Sequence, residues 1–318
     1  MLIRGGHILL RSLMLIIGII ATTAIVAHGP QEYVDRDTSD IWSLWTFPPL
    51  VTFNLVLASA IYIVGVQRLW TKAGTGMVIM KRQLAAFAAG MLVLALALTS
   101  PIDALSDDLG WIHMIQHMLI INVAAPLLVL SAPGLAFLWL LPLPWRRRFG
   151  NYWNRDRSGK TVTYLLWQPL VLWGLFAFTL WIWHLPSLYE SALRNELFHD
   201  FQHFTFLITA CLFWRVLLDP VSRLRLSRVG AVLYLFFTSL HATVLGVFMA
   251  LSQGVWYSTY EGRTLSWNIS ALEDQQLAGL IMWMPACMIY AIIAAIVLAF
   301  WLERTSVDHT AILANERA

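Results

Sequence analysis

The chain has 318 residues, of which 59% are hydrophobic and only 12% charged, with 21 Lys and Arg against 18 Asp and Glu. A soluble domain carries about 45–50% apolar and about 25% charged residues, so this composition excludes a soluble globular enzyme, a nucleic-acid binder and a disordered chain. Two cysteines, Cys211 and Cys287, both inside apolar runs, exclude a disulfide scaffold and a cysteine-based zinc site.

A helix needs about 20 consecutive apolar residues to cross the hydrocarbon of a bilayer. Eight such runs are predicted, at 8–27, 47–67, 83–100, 111–132, 162–184, 198–218, 230–252 and 276–302. The ten-residue alternation of a membrane β-barrel is absent. The expected fold class is therefore all-α: a polytopic transmembrane bundle of seven core helices preceded by a signal peptide or anchor helix.

The first run allows both readings. Arg4 and Arg11 precede it, and Ala24-Ile25-Val26-Ala27 half meets the small-x-small cleavage rule. Cleavage after Ala27 would make His28 an amine-plus-imidazole copper ligand; an uncleaved anchor would leave it a surface residue. An outer segment over 28–46, a helical domain over 47–302 and a tail over 303–318 complete the expected organisation.

Basic residues set the orientation. The termini and the loops after the second, fourth and sixth runs hold 18 of the 21 Lys and Arg, whereas Arg36, Arg194 and Arg263 fall on the opposite side. The positive-inside rule makes the first set cytoplasmic, with the C-terminus, and predicts a multi-pass protein of a bacterial cytoplasmic (inner) membrane.

The chain also repeats itself. Trp111-Ile-His-Met-Ile-Gln-His117 and Leu197-Phe-His-Asp-Phe-Gln-His203 superimpose at a spacing of 86 residues, each following an outer loop with Ala-Leu (Ala104-Leu105 and Ala192-Leu193). Asp274-Gln275-Gln276 after Ala271-Leu272 suggests a third, weaker copy. Residues four apart stack on one helix face. His113 with His117, and His199 with His203, therefore offer four imidazoles at similar depth on two parallel helices. Polar side chains inside a membrane span are costly and point to function.

Neutral imidazole suits copper, zinc, iron and nickel. Four residues give about 6 Å of rise, too little to separate two stacked haems, so a small ion fits better. One b-type haem held by two of the histidines stays open. A zinc-peptidase helix would carry Glu where Gln116 and Gln202 stand, and glutamine is no general base. Copper is favoured by Met114, Met118, Met249, Met282, Met284 and Met288 on these or neighbouring helices, because thioethers select Cu(I). His241, near the middle of the seventh run, is a deeper candidate ligand or a core residue. His184 ends the fifth run beside Trp181 and Trp183 and reads as interfacial. Asp274, with Gln275, and Asp103 are candidates to orient an imidazole from outside the ligand set or simply to open helices.

Ser100-Pro-Ile-Asp-Ala-Leu, His113-Met-Ile-Gln-His-Met-Leu, Trp183-His-Leu-Pro, His199-Asp-Phe-Gln-His and Asp274-Gln-Gln-Leu-Ala-Gly-Leu-Ile-Met-Trp, in this order, resemble the CtaG family of the caa3-oxidase type over about residues 40–302. The resemblance implies a non-enzymatic helper in cytochrome c oxidase assembly, handling copper on the outer side. Haem–copper oxidase subunits or copper carriers would be its partners. It points to His113, His117, His199 and His203, with Gln116, Gln202 and Asp274 alongside. A membrane copper transporter is the further alternative. The family's usual Asp-Gln-Gln-x-Gly-Gly has Ala278 before Gly279 here, a change expected to touch only close helix packing.

Overall fold

The computed structural model describes residues 41–148, 168–220 and 226–315. The predicted first run, His28 and the basic residues Arg155, Arg157 and Lys160 lie outside the described residues. Within them the chain is helical and contains no strand.

The helices, in chain order, are α1 (Pro49–Ala73), α2 (Lys81–Thr99), the short α3 (Pro101–Ser106), α4 (Gly110–Leu130), α5 (Pro133–Leu140), α6 (Pro169–Trp183), the short α7 (Pro186–Arg194), α8 (Glu196–Leu218), α9 (Arg228–Ala250) and α10 (Ala271–Asn315). Five of them, α1, α3, α5, α6 and α7, open on a proline at the first position, where its missing N–H has no helical partner to lose.

Six described helices are long and apolar enough to cross a membrane: α1, α2, α4, α8, α9 and the Ala271–Ile296 part of α10. The fifth run, expected over 162–184, is described from 168 onward and ends as expected, α6 stopping at Trp183. From there the chain turns by 73° into α7, and α6 and α7 are long and apolar enough to cross only when taken together. Pro186 accounts for the stop, because it disfavours helical backbone at Leu185 and removes a donor.

Both histidine repeats are built alike. A span (α2 or α6) leads into a short helix (α3 or α7), and that helix leads into the HxxQH helix (α4 or α8). Ala104, Leu105, Ala192 and Leu193 lie on the two short helices and are all buried. The Ala-Leu pairs thus seat these caps on the bundle. The third copy behaves differently. Gln275 accepts from the Trp256 amide at 2.6 Å and donates to the Gly254 carbonyl, while Gln276 donates to the Ser252 carbonyl at 2.9 Å. Both tie the α9–α10 loop to α10 and leave the histidines alone.

α9 and α10 pack closely, α10 also lies against α4, and α8 packs on α6 and on the second half of α4. A Cβ on Gly279 would come within 2.6 Å of the Gly246 carbonyl oxygen. Gly279 alone therefore preserves the close approach, and Ala278 is simply buried beside it. Just after His117, α4 widens into a π-helical stretch, Leu119–Ala124. Pro126 explains it: the ring has no N–H for the Asn122 carbonyl and would collide with it in a regular α-turn.

Candidate metal centre

The site sits where α4 and α8 begin, under a cover made by α3, α7 and the α9–α10 loop. Each element enters for a local reason. α8 is capped by its own Asn195, whose side chain accepts from the Phe198 amide at 3.0 Å. α4 has Leu109 at the matching position, and its cap comes from α10 instead. Asp274 accepts from the Gly110 amide at 2.8 Å and from the Trp111 amide at 3.3 Å. A carboxylate there also complements the helix dipole. Any side chain at Gly110 would collide with it, since a Cβ would stand 2.8 Å from Asp274 Oδ2.

The i, i+4 spacing brings the four imidazoles together as the periodicity predicts. Ring centroids lie 4.3 Å apart for His113–His117, 4.2 Å for His199–His203, 5.0 Å for His113–His199 and 5.3 Å for His117–His203. Ligand nitrogens of His113, His117 and His203 fall within 4.8 Å of one another, and all three residues are buried. His199 is half-buried at the rim. Tyr189 on α7 packs on His113 at 5.1 Å, and Phe206 packs on His117 at 4.7 Å.

Hydrogen bonds assign the proton positions. Tyr260 donates to the Ser106 carbonyl at 3.0 Å, so its oxygen can only accept from its other neighbours. His113 Nδ1, 3.3 Å away, is then a donor, and so is the Tyr189 hydroxyl at 3.2 Å. A neutral His113 consequently keeps its lone pair on Nε2, which lies 2.9 Å from His117 Nε2. Four buried ring nitrogens have no protein partner here: His117 Nδ1 and the Nε2 atoms of His184, His199 and His203.

Among the predicted supporting residues, the two glutamines part company. Gln116 donates to the Ala97 carbonyl at 2.8 Å and to Asp103 at 2.7 Å. Burial pushes the Asp103 carboxyl up to about 7; the Gln116 hydrogen bond pulls it down and the Asp107 charge adds to the rise. Gln202 is fully buried against His113 and makes no bond to backbone or carboxylate of the kind that holds Gln116. Asp103, Asp274 and Gln275 make no hydrogen bond to an imidazole; they hold Gln116, the start of α4 and the outer loop, respectively.

His241 does not join the four. Its ring meets Trp173 at 5.5 Å and Phe176 at 6.5 Å, and neither nitrogen has a partner. His184, expected at the interface, is only 4% exposed, because the turn into α7 folds cover over it. Of the six methionines, Met114, Met249 and Met282 are buried, while Met284 and Met288 face outward. Tyr189 and Tyr260 were not legible as site residues, since their neighbours in sequence carry no motif and the loop path alone delivers them.

Residues 60–304 match the model of the cytochrome c oxidase caa3 assembly factor family. The chain belongs to this family. Uncharacterized proteins of Mycobacterium bovis and Mycobacterium tuberculosis are each 27% identical to this chain over 248 residues, 76% of this chain and 37% of theirs. One from Mycobacterium leprae is 23% identical over 281 residues, 87% of this chain and 42% of its own. The chain thus spans about two-fifths of the length of these relatives. No solved structure matches it.

Proposed function

We propose that this assembly factor holds a metal ion, copper in the first place, on His113, His117 and His203 and hands it to a cytochrome c oxidase under construction. One observation carries the reading: three buried imidazoles with ligand atoms within 4.8 Å of one another. Buried nitrogens left without a partner cost about 1–3 kcal/mol each, and an ion takes up those lone pairs. Imidazole–metal bonds of about 2.0–2.1 Å put neighbouring nitrogens roughly 3.3 Å apart in a tetrahedral site. The three ligand atoms lie within 4.8 Å of one another, so ring rotations that also break the His113–His117 hydrogen bond would bring them to that spacing.

The chemistry of the donors favours Cu(I). The three closest donors are imidazoles that bind as neutral rings, so they add no charge to the ion they hold. A monovalent soft ion costs less to bury than a dication in such surroundings. The positive-inside rule puts the cluster at the outer face of a bacterial inner membrane, with the C-terminus cytoplasmic. Ions would enter and leave there, in exchange with copper carriers and oxidase subunits. Gln116 and Gln202 stand where a peptidase would need a base, which supports handling of an ion over turnover of a substrate.

A haem suits the site less well, because the imidazoles touch one another and Tyr189 and Phe206 occupy their flanks. Transport through the bundle would need further polar steps. The deeper polar groups, His241 beside Trp173 and Cys287 bonded to Ser239 and Thr243, belong to separate contacts of α9.

Elemental analysis of gently purified protein, with an absorption spectrum of the same sample, tests the proposal. The expected result is near-stoichiometric copper without a Soret band, lost in His117→Ala and His203→Ala while both variants still insert. Full copper in both variants would remove the site assignment, and a Soret band would establish the haem reading instead.

A further inference from the structure

We propose that Glu190 is a positioning residue of the metal centre: it latches α7 to the α9–α10 loop, and the ion enters and leaves when that latch opens. The inference rests on the metal reading above and adds the route of exchange. His113, His117 and His203 are at most 5% exposed. An ion held on them is therefore shielded from any carrier until part of the cover moves.

Two short segments meet over His113. From α7, Tyr189 packs on the His113 ring at 5.1 Å, and its hydroxyl lies 3.2 Å from that of Tyr260. From the loop, Tyr260 accepts from His113 Nδ1 and donates to the Ser106 carbonyl. The residues beside these two tyrosines are joined as well. Glu190 Oε1 accepts from the Ser258 hydroxyl at 2.7 Å and from the Thr259 amide at 3.3 Å. Its Oε2 accepts from Arg194 at 3.1 Å, one turn further along α7, which orients the carboxylate. Among the described residues, the hydrogen bonds from α7 to the loop come from Tyr189 and Glu190 alone.

The loop is the fixed side of this clasp. Arg263 donates to the Asp107 carbonyl at 2.7 Å, Tyr260 holds Ser106, and Gln275 and Gln276 bind the start of the loop to α10. α7 is the side able to tilt: it has only nine residues and is turned by 73° from α6. Ser258 is exposed and Glu190 half-buried, so the latch bonds compete with water and each adds only a modest factor. Covers over functional sites are drawn from such weakly held elements. Because Tyr189 and Tyr260 both rest on His113, closing the clasp favours the bound ion and opening it favours release.

Glu190→Ala and Glu190→Gln test the latch, since glutamine keeps an acceptor oxygen for Ser258 and Thr259. Full-length protein in detergent would be loaded anaerobically with Cu(I), and its removal followed at chromophoric chelator concentrations high enough that the rate no longer depends on chelator. The expected result is about three- to tenfold faster release from Glu190→Ala, rescue toward wild type in Glu190→Gln, and unchanged copper stoichiometry. Ser258→Ala removes one latch bond from the loop side and should lie between them; it also serves should Glu190→Ala misfold. Amide hydrogen exchange of the metal-free protein gives a readout independent of the ion: residues 186–194 and 257–260 should exchange faster in Glu190→Ala. Release from folded Glu190→Ala and Ser258→Ala at the wild-type rate, as for an ion leaving past His199, overturns the inference while the copper reading stands. Wild-type protein that takes up no Cu(I) overturns that reading and this inference with it.

Discussion

α4 and α8 carry the same His-x-x-Gln-His pattern, 86 residues apart, yet the bundle treats them differently. α4 is held from several directions: Asp274 caps it, Tyr260 fixes the His113 tautomer, and Gln116 is tied to Ala97 and Asp103. α8 caps itself with Asn195, sets Gln202 against His113 without a tie to backbone or carboxylate, and keeps His199 half-buried. Two similar local sequences thus yield one constrained half-site and one adaptable half-site. A centre that must grip an ion and then release it gains from that asymmetry, because one half supplies preorganised geometry and the other can move.

The comparison can be broken first at the ligands. His117→Ala is expected to abolish copper binding, whereas His199→Ala, outside the closest trio, should weaken it only in part; metal titration of both variants checks the ranking. Next is the crowded start of α4. Gly110→Ala should lower stability by about 1–3 kcal/mol, because its Cβ meets Asp274, while Glu196→Ala at the matching exposed position of α8 should change it by less than about 0.5 kcal/mol. Thermal unfolding in detergent measures both.

The glutamines sharpen the contrast further. Gln116→Leu strips a donor from Asp103 and from the Ala97 carbonyl and should cost about 1–3 kcal/mol. Gln202→Leu removes an amide that faces His113 and makes none of the backbone and carboxylate bonds of Gln116, and should cost less than Gln116→Leu in the same assay. The last contrast is in the dependence on pH. With the folded Asp103 carboxyl near 7 and its ordinary value 3.8, the unfolded chain loses this proton first as pH rises. Its stabilisation is complete below about pH 4 and is lost by about pH 7. The thermal midpoint should therefore fall between about pH 4 and pH 7, and fall less in Asp103→Asn. Ser191, in the corresponding outer loop of the second repeat, has no such titration.

Much of the site was legible because membrane helices expose their logic in one dimension. Apolar length announces the spans, and the four-residue spacing of His113, His117, His199 and His203 announces a shared face. The supporting roles were harder to read. Asp274 was legible as a polar residue at a helix start, but its partner is the end of α4, 164 residues away in sequence. His184 was read as interfacial because an aromatic belt surrounds it, and no periodicity reveals that Pro186 turns the chain back over it.

The sequence by itself determined the all-α membrane class, the main spans and the pairing of two histidine helices, since these follow from burial of apolar length and from a helical repeat of 3.6 residues. Tertiary structure alone decided that α10 caps α4, that Tyr189 and Tyr260 close the cluster, that His184 is buried beside it and that His241 stands apart. Those outcomes depend on bends and loops whose direction is set by packing among distant segments, and local propensity carries no record of them.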